Sequence, residues 1–154
     1  REILEAYARG VNAYLEAHRW ALPPEVELVD GGTWGMSLLP MIESAERLIL
    51  IDAINTGAVP GTLTVLERHE LPRYFSLKLS PHQIDLREVL ALAELRGALP
   101  RELVAFGIQP AVVDLQTELS PAVGAAMGNL VGLVADRLEA AGHTVRLRTE
   151  AGCA

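Results

Sequence analysis

Cysteine is almost absent from this sequence: of 154 residues only Cys153 is a cysteine, second from the end. A lone thiol forms neither a disulfide framework nor a cysteine zinc cluster, which argues against a secreted disulfide scaffold and fits a reducing cytoplasm. Basic residues are also scarce, 13 Lys and Arg against 20 Asp and Glu, for a formal net charge of −7. With no cluster of cations to neutralise phosphates, nonspecific nucleic-acid binding is disfavoured. Long hydrophobic runs are missing too. The stretch from Leu48 to Ile54 is interrupted by Asp52, and it falls far short of the roughly 18 apolar residues a membrane span needs. Neither a Gly-x-Ser-x-Gly elbow nor a Gly-x-x-x-x-Gly-Lys loop occurs, which removes support for serine acyl hydrolases and P-loop enzymes. The chain opens Arg1-Glu2-Ile3 with no Met and no signal-like apolar segment, so its start is expected to be processed, truncated or joined to another segment.

What is present is apolar and ordered in pattern. Half of the residues are hydrophobic, and a chain of this length removes roughly two thirds of its unfolded surface from water, enough for one core without disulfides or a structural metal. Leu4, Tyr7, Val11, Tyr14 and Leu15 recur at helical spacing before Pro23-Pro24. Val26 to Val29 reads as a strand closed by Asp30-Gly31-Gly32, and a short helix is predicted from Met36 to Glu43. Leu48-Ile49-Leu50-Ile51 has no polar alternation, the pattern of a strand buried on both faces of a parallel sheet. After the Pro60-Gly61 turn, Thr62 to Leu66 alternates like a more exposed strand. Helical spacing returns from Ile84 to Leu95, and Leu103 to Ile108 reads as another strand, stopped by Gln109-Pro110. Ser120-Pro121 matches an N-cap and first helical residue, opening a long helix towards Ala141-Gly142; Thr144 to Leu147 is a last strand or a tail. Strands alternating with helices predict an α/β domain of three layers, with a mostly parallel central sheet flanked by helices.

In such sheets ligands sit beyond the carboxyl ends of the strands, which is where Asp30 and Asp52 fall. Asp52 is the sharper candidate, since a carboxylate after a wholly apolar run must be hydrogen-bonded, metal-bound or at the sheet's open end. A capping Asp that bonds the following loop is the alternative. His82, in Ser80-Pro81-His82-Gln83, is either a hydrogen bonder at the start of the Ile84 helix or a ligand. A carboxylate and an imidazole on adjacent loops make half a site for a borderline divalent metal such as nickel or zinc. His18, His69 and His143 read as solvated. Asp30-Gly31-Gly32-Thr33-Trp34-Gly35 is a Gly-rich loop without dinucleotide-binding spacing.

Several segments in order resemble the [NiFe]-hydrogenase maturation proteases, endopeptidases that trim the C-terminus of the hydrogenase large subunit. They are Val26-Glu27-Leu28-Val29-Asp30-Gly31-Gly32-Thr33-Trp34-Gly35, Leu38-Leu39, Arg47-Leu48-Ile49-Leu50-Ile51-Asp52-Ala53, Pro60-Gly61-Thr62, Leu79-Ser80-Pro81-His82-Gln83, the positions Asp85, Val89 and Leu90, and Gly107-Ile108-Gln109-Pro110. The resemblance runs from Pro24 to about Gly142. It implies a cytoplasmic, aspartic-type endopeptidase that holds no metal of its own and recognises nickel already inserted in the large-subunit precursor. Asp52 and His82 fall on two of the family's three metal-contacting positions, so the resemblance gives them the metal and catalytic roles. Asp30, Gly31, Gly32 and Thr33 would contact substrate in the same cleft.

The beginning of the chain departs from the family. The family's first strand, and the loop whose glutamate supplies the third metal contact, are not visible in this sequence. With Gly10-Val11 aligned to the start of the family's first helix, Tyr7 occupies the glutamate's position, and Glu5 lies nearby on the predicted solvent face. The segment from Glu5 to Leu15 is similar to a helical stretch of the penicillin-acylase family, without that family's nucleophile. Residues 1–24 are therefore read as an atypical N-terminal helix and residues 25–154 as the maturation-protease-like domain. The alternative to a peptidase is a noncatalytic module that docks on the large subunit.

Overall fold

The computed structural model describes residues 25–29, 31, 35–71, 86–113 and 118–145. Within them, a 3₁₀ turn over Gly35–Leu38 leads into helix α1 (Leu39–Ser44), followed by strands β1 (Arg47–Ala53) and β2 (Leu63–Glu67), helix α2 (Leu86–Leu95), strand β3 (Glu102–Ile108) and helix α3 (Pro121–Ala140). The strand order is β1-β3-β2, with β1 parallel and β2 antiparallel to the central β3. The α/β class is thus borne out, in a sheet that is mixed across its described strands.

Every residue of β3 from Leu103 to Ile108 is buried. Because side chains alternate across a strand, Leu103 and Ala105 face one layer while Val104 and Phe106 face the other. Leu103 and Ala105 join Leu39 and Ile42 of α1, Val89, Leu90 and Ala93 of α2, and Ile54 and Leu71 in one cluster. Val104 and Phe106 meet Leu130 of α3, with Met127, Leu133 and Val134 around them. Two helical layers therefore sandwich the sheet. Each of the Leu, Ile, Val and Phe side chains among them contributes roughly 1.5–3 kcal/mol on full burial, whereas exposed ion pairs typically contribute under about 1 kcal/mol. The ion pairs of Arg96, just past α2, with Glu43 of α1 (2.6 Å) and of Arg137 in α3 with both Glu67 oxygens of β2 (3.2 Å each) are secondary to that packing.

The strand predicted over 48–51 is present, but its burial differs from expectation. Leu48, Ile49 and Leu50 are half-buried and Ile51 is 51% exposed, because β3 is the strand that neighbours flank on both sides and β1 pairs with β3 alone among the described strands. Residues 26–29 form no strand in the described structure, and Leu28 is 55% exposed. Apolar, β-branched composition supplies a preference for extended backbone, but a strand also needs a ladder partner, and none lies beside this run among the described residues. The predicted 36–43 helix is split between the 3₁₀ turn and α1, with Pro40 in the first turn of α1, where its missing N–H costs nothing. Helix α3 starts where Ser120-Pro121 signals it. The Ser120 hydroxyl makes no cap bond, however; its carbonyl accepts from Gly124 N–H at 2.8 Å. Both α2 and α3 close on glycines with positive φ, Gly97 and Gly142. At each the next residue's N–H returns to a carbonyl five positions back, Ala98 to Ala93 (2.9 Å) and His143 to Leu138 (3.0 Å). The atypical helix assigned to residues 1–24 and residues 146–147 of the 144–147 segment lie outside the described residues, and residues 144–145 are in no strand.

Beyond the α3 cap, His143 Nδ1 lies 3.1 Å from Glu25 Oε1. A bond from the Glu25 backbone amide, and then the His143 ring, hold the Glu25 carboxyl below its ordinary value. A depressed carboxyl pKa contributes stability at pH above the ordinary glutamate value, and that contribution disappears as the pH falls through the folded value. In His143→Ala, a carboxyl-carbon NMR titration should show the Glu25 midpoint rising part of the way to that of an unperturbed glutamate, because the amide bond persists. An unmoved midpoint would show that His143 plays no part.

Candidate functional site at the carboxyl edge of the sheet

Strands β1 and β3 run parallel, so their carboxyl ends share one edge, where Asp52 registers with Gly107 and Ala53 with Ile108. Asp52 is exposed there, and its Oδ1 accepts the Ala53 N–H at 2.7 Å. The capping and functional readings of this residue are compatible, since accepting a local amide does not withdraw the carboxylate from the exposed edge.

β2 lies on the far side of β3 from β1 and runs the opposite way, so the loop joining β1 to β2 must cross over the end of β3. Ile54 begins that crossing: its N–H donates to the Ile108 carbonyl at 2.9 Å, and its side chain is buried against Gly107. A Cβ placed on Gly107 would stand 2.6 Å from the Ile54 Cβ. The absence of a side chain at Gly107 is what lets the chain turn down directly after Asp52 and Ala53.

Gln109, at the end of β3, is the one buried polar residue among the described residues, at 6% exposure. Its Oε1 accepts from Thr56 N–H (2.8 Å) and Thr56 Oγ1 (3.2 Å), and its Nε2 donates to Asn55 Oδ1 (3.1 Å) and the Pro110 carbonyl (3.2 Å). Asn55 Oδ1 also accepts from Gly57 N–H at 3.1 Å. On the backbone, Gln109 N–H donates to the Thr62 carbonyl and Gly61 N–H to the Gln109 carbonyl, both at 2.9 Å. Both ends of the crossing are thereby fastened to one residue. The start of α3 reaches the same edge, since a Cβ on Gly61 would lie 2.7 Å from the Ala122 carbonyl oxygen.

Of the residues singled out in the sequence, Asp52 is at this edge. Gly31 is half-buried beside Leu38, whose side chain packs against the α1/α2 cluster. Asp30, Gly32, Thr33 and His82 lie outside the described residues. Gln109 carries a role that sequence reasoning missed: the sequence marks it as a strand stop and as part of a family-like segment, without a function of its own. Its signal was the one that marked Asp52, a polar residue directly after an apolar strand.

A family model described as hydrogenase maturation protease matches residues 11–137. The chain belongs to the hydrogenase maturation protease family. It is 39% identical over 122 residues to the hydrogenase expression/formation protein HupM of Azotobacter chroococcum, covering 73% of this chain and 58% of HupM. It is also 39% identical over 145 residues to HupD of Bradyrhizobium diazoefficiens, covering 91% of this chain and 74% of HupD. The solved structure of the hydrogenase maturating endopeptidase HybD from Escherichia coli superposes with a TM-score of 0.80 at 34% identity, covering 93% of this chain and 90% of HybD. The chain thus spans 58% and 74% of the two curated relatives' lengths. The family match begins at residue 11, and so includes part of the stretch that sequence reading set apart before residue 25.

The close approach at Gly107 yields a stability test. Gly107→Ala should lower unfolding free energy by about 1–3 kcal/mol, the usual penalty for overpacking, read as a lower urea midpoint at unchanged slope. Adding Ile54→Val, which removes the methyl nearest the new Cβ, should give a double variant less destabilised than the sum of the two single changes. Strict additivity would show that Ile54 is not what the new methyl meets.

Proposed function

We propose that this chain is an endopeptidase that removes the C-terminal peptide of a [NiFe]-hydrogenase large-subunit precursor already loaded with nickel. The observation that carries the reading is family membership over residues 11–137, combined with an exposed Asp52 at the carboxyl edge of a parallel strand pair. On this reading nickel arrives with the substrate, and Asp52 and His82 complete its coordination. Carboxylate and imidazole suit a borderline divalent ion, and such an ion polarises a peptide carbonyl or lowers the pKa of a bound water. Water then adds to the carbonyl carbon, the C–N bond breaks, and the departing amine takes a proton. The segment Asp30, Gly31, Gly32 and Thr33 contacts the substrate chain beside the scissile bond. The aspartic-type assignment means here that Asp52 is the carboxylate on which cleavage depends. A precursor without nickel gives Asp52 and His82 nothing to coordinate, so cleavage reports that the metal has been inserted.

The described residues contain no helix long and apolar enough to cross a membrane. We place the reaction in the cytoplasm, whose reducing conditions suit a chain with a single cysteine. The partner is the large-subunit precursor, with no nucleic acid and no membrane insertion.

Incubation with a nickel-loaded large-subunit precursor, followed by intact-protein mass spectrometry, should show loss of a short C-terminal peptide. Cleavage should require nickel, and Asp52→Asn or His82→Ala should slow it by roughly 100-fold or more, the scale on which catalytic ligands and acid–base groups act. An unchanged precursor mass with co-purification of the two proteins would instead identify a noncatalytic docking module.

A further inference from the structure

We infer that Gln109 is a positioning residue for the cleavage proposed above, holding the Asn55-Thr56-Gly57 turn as a fixed wall beside Asp52. This rests on the peptidase reading, but its structural half stands on geometry alone. Two residues, Ala53 and Ile54, separate Asp52 from Asn55. The ladder with β3 fixes the backbone as far as Ala53, and the Ile54 N–H to Ile108 carbonyl bond extends that by one residue. Beyond Ile54 the residues from Asn55 to Pro60 are all exposed, so packing does not order them. What orders the turn is the Gln109 side chain, which takes both donors of Thr56 on Oε1 and presents Nε2 to Asn55. Each contact pairs a donor with an acceptor in the one orientation of the amide that satisfies all of them.

Asn55 then passes the constraint on to Gly57. One buried side chain thus fixes three successive exposed residues next to the candidate carboxylate. A buried amide without partners costs on transfer from water, so the turn and Gln109 hold each other in place. A substrate chain running past Asp52 would be bounded on this side by a wall of set position, and a loosened wall would misplace the scissile bond without removing the docking surface.

The test uses the full chain with Gln109→Met, which keeps length and apolar volume while deleting all four side-chain bonds. Hydrogen exchange should show the Thr56 and Gly57 amides losing protection while those of Leu50 and Phe106 in the ladder keep theirs. With the nickel-loaded precursor as substrate, kcat should fall by about 10- to 100-fold, the scale of a misplaced reacting geometry, with KM changed less than about threefold. If Gln109→Met does not fold, Asn55→Ala, on an exposed residue, should still expose the Gly57 amide and lower kcat more than it raises KM. Unchanged protection at Thr56 and Gly57, or a loss spread equally through β1 and β3, overturns the inference. So does a normal kcat, or an effect confined to KM. A wild-type chain that does not cleave the precursor overturns the peptidase reading and the positioning role together. Cleavage by wild type with an unaffected Gln109→Met variant overturns the positioning role alone.

Discussion

Burial of β3 on both faces and along both edges is the constraint from which the rest of the structure follows. A strand in that position exposes no backbone group to water, so each N–H and C=O must be met by a neighbour. β1 and β2 supply those ladders. Its side chains alternate, so one face demands the α1/α2 layer and the other demands α3. The parallel pairing puts the ends of β1 and β3 together, and the antiparallel β2 obliges the chain leaving β1 to cross that edge. The site is therefore located by the sheet: Asp52, the crossing loop, Gln109 and the start of α3 meet there because the topology leaves them nowhere else to go.

Crossing the end of a buried strand creates a polar difficulty. The last β3 groups, the Ile54 amide and the Gln109 side chain would lose water without gaining partners, and an unpaired buried amide costs roughly 1–3 kcal/mol. The bonds of Ile54 N–H to Ile108, Gln109 N–H to Thr62 and Gly61 N–H to Gln109 resolve it for the backbone. The Gln109 side chain does the same for the turn. An apolar residue at this position would pack as well against its neighbours but leave Thr56 with no protein acceptor in place of Oε1. This explains how a polar side chain persists at the end of an otherwise apolar segment.

Much of this was legible in the sequence. Helical periodicity located α2 and the Ser120-Pro121 start signal located α3 to within a few residues, and the alternation after Pro60-Gly61 located β2. Less legible was which apolar strand is central. Leu48-Ile49-Leu50-Ile51 and Leu103-Val104-Ala105-Phe106 are equally apolar, and only strand order, a nonlocal property, decides that the second is flanked on both sides. The run 26–29 shows the same limit, since composition encodes a willingness to pair but not a partner. Asp52 was legible because a carboxylate after an apolar strand is chemically conspicuous. Gln109 had the same placement, but an amide has no acid–base chemistry to draw notice, and its partners at Asn55 and Thr56 lie more than fifty residues away in the chain.

Asp52 also gains from being on β1 rather than β3. Had the carboxylate stood on the central strand, the flanking ladders and helical layers would have left no approach for a substrate. On β1 it shares the sheet's carboxyl edge while remaining exposed. Gly107, opposite, offers no side chain to fill the space, and Ile54 takes that space instead, pinning the chain immediately after the carboxylate. On the proposed reading, a carboxylate that meets a large protein substrate needs both accessibility and a fixed bearing. The exposed end of β1 provides the first, while Ile54 and Gln109, both anchored to the buried strand, provide the second.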